Sequence, residues 1–241
     1  MWNFQVSPLG DQGIRIEFAN IISPKVNKKV HQFVDVLEQK APQGIVEIVP
    51  AYSTVTVCYQ PLVIGYEQLV ALLEEQLQQL SATAASQQTR KLTLPVFYGG
   101  ESGPDLDFVA GYNGLSREEV VSRHTSRDYL AYMIGFTPGF PYLGGMDETI
   151  AVPRRSSPRK QIRAGSVGIA GSQTGIYSVA SPAGWQIIGH TPVPLFDPYA
   201  ENPVLIQAGD TIRFHEVSRP EYEEICSAVM EKQYILGIDY F

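Results

Sequence analysis

Ile14, Ile16 and Phe18 alternate with Arg15 and Glu17, the period-two pattern of a strand with one buried face. The period then lengthens. Val26, Val30, Phe33, Val34 and Leu37 fall at helical spacing behind Ser23-Pro24, an N-cap residue followed by a proline at the first helical position. Two strands are predicted next, over 45–49 and 54–59, joined by the turn Pro50-Ala51-Tyr52-Ser53. A second helix over 66–80 carries Leu69, Val70, Leu72, Leu73, Leu77 and Leu80. The order strand, helix, strand, strand, helix predicts a small N-terminal α/β domain over 1–80, with helices on a mostly antiparallel sheet.

Residues 81–91 (SATAASQQTRK) hold no large apolar side chain and read as a linker, so a second domain is expected over 92–241. Its pattern differs. A strand over 92–98 ends at Gly99-Gly100, and short helices follow at 105–112 and 116–124, the latter with Ser116 and Glu119 spaced as a capping box. Short β-type runs broken by glycine and proline then occupy 129–134, 166–170, 175–180, 184–189 and 211–215, which predicts a closed barrel or a sandwich. A last helix over 220–230 and a tail strand over 234–238 complete the reading. The fold class is therefore α+β.

Composition adds limits. With 44% hydrophobic and 18% charged residues the chain can bury a sizeable core, and no apolar run reaches the ~18 residues that span a bilayer. The first residues lack the basic and apolar regions of a secretory signal, so a cytoplasmic protein is expected. A formal net charge of -7 argues against nucleic acid as the main partner. Cys58 and Cys226 have no metal-site spacing and are expected as small core hydrophobes. The four histidines suggest no metal site, and there is no GxxxxGK[ST] or GxSxG.

Two stretches carry chemistry. Residues 135–145 (GFTPGFPYLGG) pack four glycines, two prolines and three aromatics into eleven positions, which fixes an irregular backbone. Residues 153–163 (PRRSSPRKQIR) hold five cations and no acid in an acidic protein. A cationic strip against the overall charge, beside a stiff aromatic loop, points to a rigid pocket for a small anion or an acidic partner. Arg154, Arg155 and Arg159 are the candidate carboxylate or phosphate ligands, because a guanidinium pairs with such groups through two parallel N–H donors. Phe140 is the candidate wall. Gln173 and Thr174, read as displayed at the turn 171–175, suit an amide or carbonyl group. His190, at a strand end flanked by glycine and proline, is a further candidate contact. Glu101, Asp105 and Asp107 could serve as base or metal ligand, or Asp105 could cap a helix. No side chain is singled out as catalytic, and no metal is expected.

Taken in order, LPVFYGGESGPDLDFVA, GFTPGFPYLGGMD, VPRRSSPR, the run 164–198 (AGSVGIAGSQTGIYSVASPAGWQIIGHTPVPLFDP) and AGDTIRF resemble the family of the 5-oxoprolinase B subunit and the kinase inhibitor KipI, also known as allophanate hydrolase subunit 1. Leu9-Gly10-Asp11 and the run 46–52 extend the resemblance over nearly the whole chain. Arg163 stands where the family more often has proline, and Ala183 where it often has glycine. The resemblance implies a cyclophilin-like β-barrel as the C-terminal domain. It implies a cyclic amide hydrolase active only in complex with the A and C subunits of 5-oxoprolinase. That complex opens 5-oxoproline to glutamate with ATP as co-substrate, held by this chain or a partner. The alternative it implies is inhibition of sensor histidine kinase autophosphorylation, with Phe136, Phe140 and Trp185 against a helical bundle. A urea-amidolyase component is the third, for which no serine amidase signature is present.

Overall fold

The computed structural model describes residues 4–79 and 89–241. They fall into two compact units divided between Gln87 and Gln88. Leu80 and residues 81–88 of the expected linker lie outside the described residues.

The first unit contains β1 (Gln5–Pro8), β2 (Gly13–Glu17), α1 (Pro24–Lys40), β3 (Ile45–Pro50), β4 (Thr54–Tyr59) and α2 (Tyr66–Gln79). Its sheet is antiparallel throughout, in the order β1-β2-β4-β3. Ile14, Ile16, Val55 and Val57 share one core with Val30, Phe33 and Leu37 of α1 and Leu69 and Leu73 of α2. The Ser23 side chain accepts the Val26 N–H at 3.3 Å, and Pro24 opens α1 as its missing donor permits. β1 was not legible in the sequence: four residues are too few to show a period, and only pairing with β2 makes them a strand. Cys58 corrects the expectation of a core thiol. It is half-buried because it alternates with Val57 and Tyr59 on β4, whose side chains take the core face.

The second unit is a closed barrel. Its strands are β5 (Arg90–Tyr98), β6 (Asp128–Ile134), β7 (Pro141–Gly144), β9 (Ser166–Ala170), β10 (Gln173–Ile176), β12 (Gln186–His190) and β13 (Thr211–Glu216). They run β12-β9-β10-β7-β6-β13-β5, and β5 returns to β12 to close the ring. Only β5 and β13 pair in parallel within it. The edge of β5 that meets β12 at Phe97 and Tyr98 takes β14 (Ile238–Tyr240) at its other end, and β14 starts four residues later than the tail strand was expected, because Arg90–Leu92 supply the partners. A separate ribbon pairs β8 (Arg159–Ile162) with β11 (Ser181–Ala183). Three helices, α3 (Leu106–Asn113), α4 (Arg117–Thr125) and α5 (Arg219–Met230), accompany the barrel. The Ser116–Glu119 capping box forms at α4, and a second one, Ser218–Glu221, starts α5. Cys226 lies on α5, which buries none of its residues, so it too is half-buried rather than a core residue.

β5 starts at Arg90, inside the stretch expected to be linker. Arg90 donates to both carboxylate oxygens of Asp210, at 2.9 and 2.5 Å, and Lys91 pairs with Asp128 at 2.7 Å. Tertiary partners thus carry two cations into a strand that local composition argued against. The interior is filled by Leu92, Leu94, Tyr129, Leu143, Ile169, Ile188 and Phe214. Among the described residues, no helix is long and apolar enough to cross a membrane.

Candidate functional site

The loop 135–140 joins β6 to β7, and its backbone is fixed bond by bond. The Phe140 N–H donates to the Thr137 carbonyl at 3.1 Å around Pro138-Gly139, with Gly139 at φ 75°, the turn that needs a residue of positive φ in its third place. The Thr137 N–H reaches the Gly135 carbonyl at 2.7 Å across Phe136, whose φ is 63°. That is a γ-turn of the rarer hand. A bulky aromatic in this region stores strain of about 1–3 kcal/mol and persists only where its surroundings over-determine it. Here the Gly135 N–H bonds the Phe140 carbonyl at 3.0 Å, and the Ser178 hydroxyl donates to the Pro138 carbonyl at 2.5 Å. The result is a Phe136 ring left 66% exposed at the rim of a cavity.

The cavity encloses about 300 Å³. Phe136, Phe140, Tyr142, Tyr177 and Trp185 form its apolar walls. Phe140 is central, meeting Phe136, Tyr142, Tyr177 and Trp185 edge-on with centroids 5.6, 5.0, 5.2 and 5.7 Å away. Gly175 of β10 makes room for it: a Cβ there would stand 3.0 Å from the Phe140 ring and 3.0 Å from the Pro141 carbonyl. Burial pushes the Tyr177 phenol up to about 12, so at neutral pH it remains a protonated donor.

Arg154 and Arg155 supply the polar part of the lining. Arg154 is exposed and has no acidic partner within 4 Å among the described residues. Arg155 is tethered. Its Nη1 donates to Asp105 Oδ1 at 2.9 Å, and its backbone N–H donates to the Gly184 carbonyl at 2.8 Å. Arg159 takes the same carboxylate with both arms of its fork, at 2.7 and 2.8 Å, and so faces Asp105 instead of lining the cavity. Hydrogen bonding to that carboxylate raises the Arg159 pKa further. Asp105 is only 4% exposed and also accepts the Ile187 N–H of β12 at 2.7 Å. It makes no cap bond to α3, so the expected capping role is corrected: two arginines and a strand amide use the oxygens a helix terminus would have used. Asp107 instead pairs with Arg117 at the surface, 2.6 Å from Oδ2 to Nη2. Among the described residues, no cluster of three His, Cys, Asp or Glu side chains could hold a metal ion.

The other candidates lie elsewhere. The turn expected at 171–175 is confined to Gly171-Ser172, with Gly171 at φ 58°, so Gln173 and Thr174 already belong to β10. Gln173 is half-buried, opposite Ala170 of β9, and does not line the cavity. Thr174 is fully buried, which corrects its reading as a displayed side chain. Its hydroxyl donates to the Gly168 carbonyl at 3.1 Å, which leaves it an acceptor for His124 Nε2–H at 2.9 Å. His124 Nδ1 then accepts the Tyr98 hydroxyl at 2.7 Å. This oriented chain runs through the barrel core, where His124 also stacks on Phe214 at 4.5 Å. Burial alone brings the His124 pKa down to about 3.

His190, at the end of β12, is likewise enclosed. Its Nε2–H donates to the Ala164 carbonyl at 2.8 Å, and Nδ1 accepts the Tyr222 hydroxyl at 2.7 Å, so it ties α5 to the segment after β8. Burial first, then the nearby Arg163 charge, lowers its pKa to about 4. Arg163 itself donates to Ser102 Oγ at 2.8 Å. Of the predicted residues, Arg154, Arg155 and Phe140 come together, whereas Arg159, Gln173, Thr174 and His190 do not line the cavity. Sequence reasoning missed Tyr177 as a wall and Asp105 as the anchor. The signal available for Tyr177 was an aromatic two residues after Gly175, in a segment already rich in special backbone positions.

Known proteins share this architecture and much of this sequence. The B subunit of 5-oxoprolinase from Bacillus subtilis is 43% identical over 229 residues, which cover 91% of this chain and 95% of that protein. The chain belongs to the family of 5-oxoprolinase B subunits. A family model described as the carboxyltransferase domain, subdomains C and D, matches residues 4–206. Among solved structures, the protein TTHA0988 is 34% identical with a TM-score of 0.76, over 87% of this chain and 40% of that longer one. The urea carboxylase of Kluyveromyces lactis shares the fold at a TM-score of 0.82 and 19% identity, over 99% of this chain and 24% of its own.

Proposed function

We propose that this chain is the B subunit of an ATP-dependent 5-oxoprolinase, acting with the A and C subunits, and that its aromatic cavity contacts the 5-oxoproline ring and carboxylate. The reading is carried by the 43% identity to a 5-oxoprolinase B subunit, along 95% of that protein's length. The cavity supports it chemically. A five-membered lactam presents two apolar faces, which edge and face contacts with Phe140 and Trp185 suit. Its carboxylate matches Arg154, and the Tyr177 hydroxyl can donate to a carbonyl oxygen. A lactam carbon is a poor electrophile. Phosphorylation of the amide oxygen by ATP, which leaves as ADP, makes it a good one; water then adds, the ring C–N bond breaks to leave an acyl phosphate, and a second water releases phosphate and glutamate. This chain's part is to bind and orient the ring and to exclude water from its faces.

Co-expression of the three subunits is expected to give 5-oxoproline-dependent ADP release that disappears when this chain is left out. Full turnover without it defeats the reading. Within the assembly, Arg154→Ala removes a charge-assisted contact of roughly 1.5–3 kcal/mol. The KM for 5-oxoproline is expected to rise about tenfold or more, and an unchanged KM returns Arg154 to an ordinary solvated cation.

A further inference from the structure

Near the cavity, one buried carboxylate faces two guanidinium groups. Asp105 accepts one hydrogen bond from Arg155 and two from Arg159, and its fourth comes from the Ile187 amide of β12. Of the two arginines only Arg155 reaches the cavity. The segment that bears it, between the bridge at Val152 and the start of β8, has no regular structure of its own, and its backbone is tied to the barrel by the Arg155–Gly184 bond and by Gln186 Nε2 on the Pro153 carbonyl at 3.1 Å. The carboxylate holds the end of the Arg155 side chain, and the Ser157 carbonyl, which accepts the Nε–H at 3.3 Å, holds it nearer the backbone.

Charge counting gives the arrangement a second meaning. Paired with Asp105 alone, Arg155 would form a neutral unit with little net pull on an anion. Arg159 covers the carboxylate with its bidentate fork, the geometry in which a guanidinium compensates a carboxylate best. Two cations against one anion leave a net positive charge, and Arg155 is the member that faces the ligand. Arg155 is half-buried beside the apolar walls of the cavity, where its charge is screened less than that of a fully exposed cation.

We infer that Asp105 and Arg159 are positioning residues of the cavity: the carboxylate fixes Arg155, and Arg159, from outside the cavity, compensates that carboxylate so that Arg155 attracts an anionic ligand. The inference rests on the reading that this cavity takes a ring-bearing carboxylate.

Two readouts separate the proposal from that reading. Turnover of 5-oxoproline by the reconstituted assembly tests the reading. Quenching of Trp185 fluorescence in the purified chain, on a Trp2→Phe background, by 5-oxoproline and by cyclopentanecarboxylate tests the proposal. Arg159→Gln is expected to weaken carboxylate binding about tenfold, although the side chain does not touch the cavity. Arg159→Lys keeps the charge and loses the fork, and is expected to lower the thermal midpoint while binding stays within about threefold of the parent. The double variant Asp105→Asn, Arg159→Gln restores the local balance and is expected to bind more tightly than Arg159→Gln alone. A merely structural role predicts the reverse order, with the double variant worst. Equal affinity in Arg159→Gln and the parent, equal losses in Arg159→Lys and Arg159→Gln, or no carboxylate-dependent quenching in the parent each overturn the proposal.

Discussion

Acidification from about pH 7.5 to about pH 4.5 is expected to remove about 3 kcal/mol from the stability of the C-terminal unit through His124 alone. The folded barrel holds this imidazole neutral down to about 3, whereas an unfolded chain protonates it near the ordinary value of 6.5. Between those values the unfolded state binds the extra proton. The contribution is therefore complete above pH 6.5 and is lost progressively as the pH falls towards 3. His190, lowered to about 4, acts in the same direction over nearly the same window. The cause is enclosure: an imidazolium at position 124 would lie among Tyr98, Tyr129, Phe214 and Thr174, none of which carries a charge to compensate it. Urea titrations at several pH values measure the slope, and His124→Phe is expected to be less stable at neutral pH but flatter in its response to acid. NMR gives the decisive check. If the His124 ring signals of the folded protein titrate near the ordinary value of 6.5, the polar chain is open to solvent and the prediction fails.

Phe140→Ala is expected to cost about 3–5 kcal/mol and to abolish the cavity's selectivity together with its shape. The side chain is 2% exposed and touches four other aromatic rings. Its removal leaves a void that the hairpin end cannot fill, because the turns at Phe136 and Gly139 hold the backbone. Phe140→Leu keeps most of the volume and should recover more than half of the loss. Chemical denaturation reads the stability, and the KM for 5-oxoproline in the assembly reads the site. A loss below about 1 kcal/mol for the alanine variant would mean that the aromatic cluster contributes little to the fold.

These expectations mix what was legible in the sequence with what was not. The α1 stripe and the Ser23-Pro24 start were legible because a helix is specified by residues within a few positions of one another. The Ser116–Glu119 cap was legible for the same reason. The stiffness of residues 135–145 was legible too, since glycine and proline carry their backbone restrictions with them. Strands of three or four residues were not. β1, β7, β8 and β11 are too short for a period to show, and each exists because a partner strand is present.

The basic run illustrates the division most clearly. The sequence by itself determined that five cations follow closely on a stiff aromatic loop in an acidic chain. Only the tertiary structure decided which of these cations meet an acid. Asp105 lies 50 positions before Arg155, and closure of β12 on β5 brings the Asp105 segment against Ile187. Spacing along the chain carries no information about a carboxylate that distant, whereas Coulomb attraction in a buried site depends on a few ångströms. For that reason the composition of the site could be read from the residues, but the roles of Arg154, Arg155 and Arg159 diverge only in three dimensions.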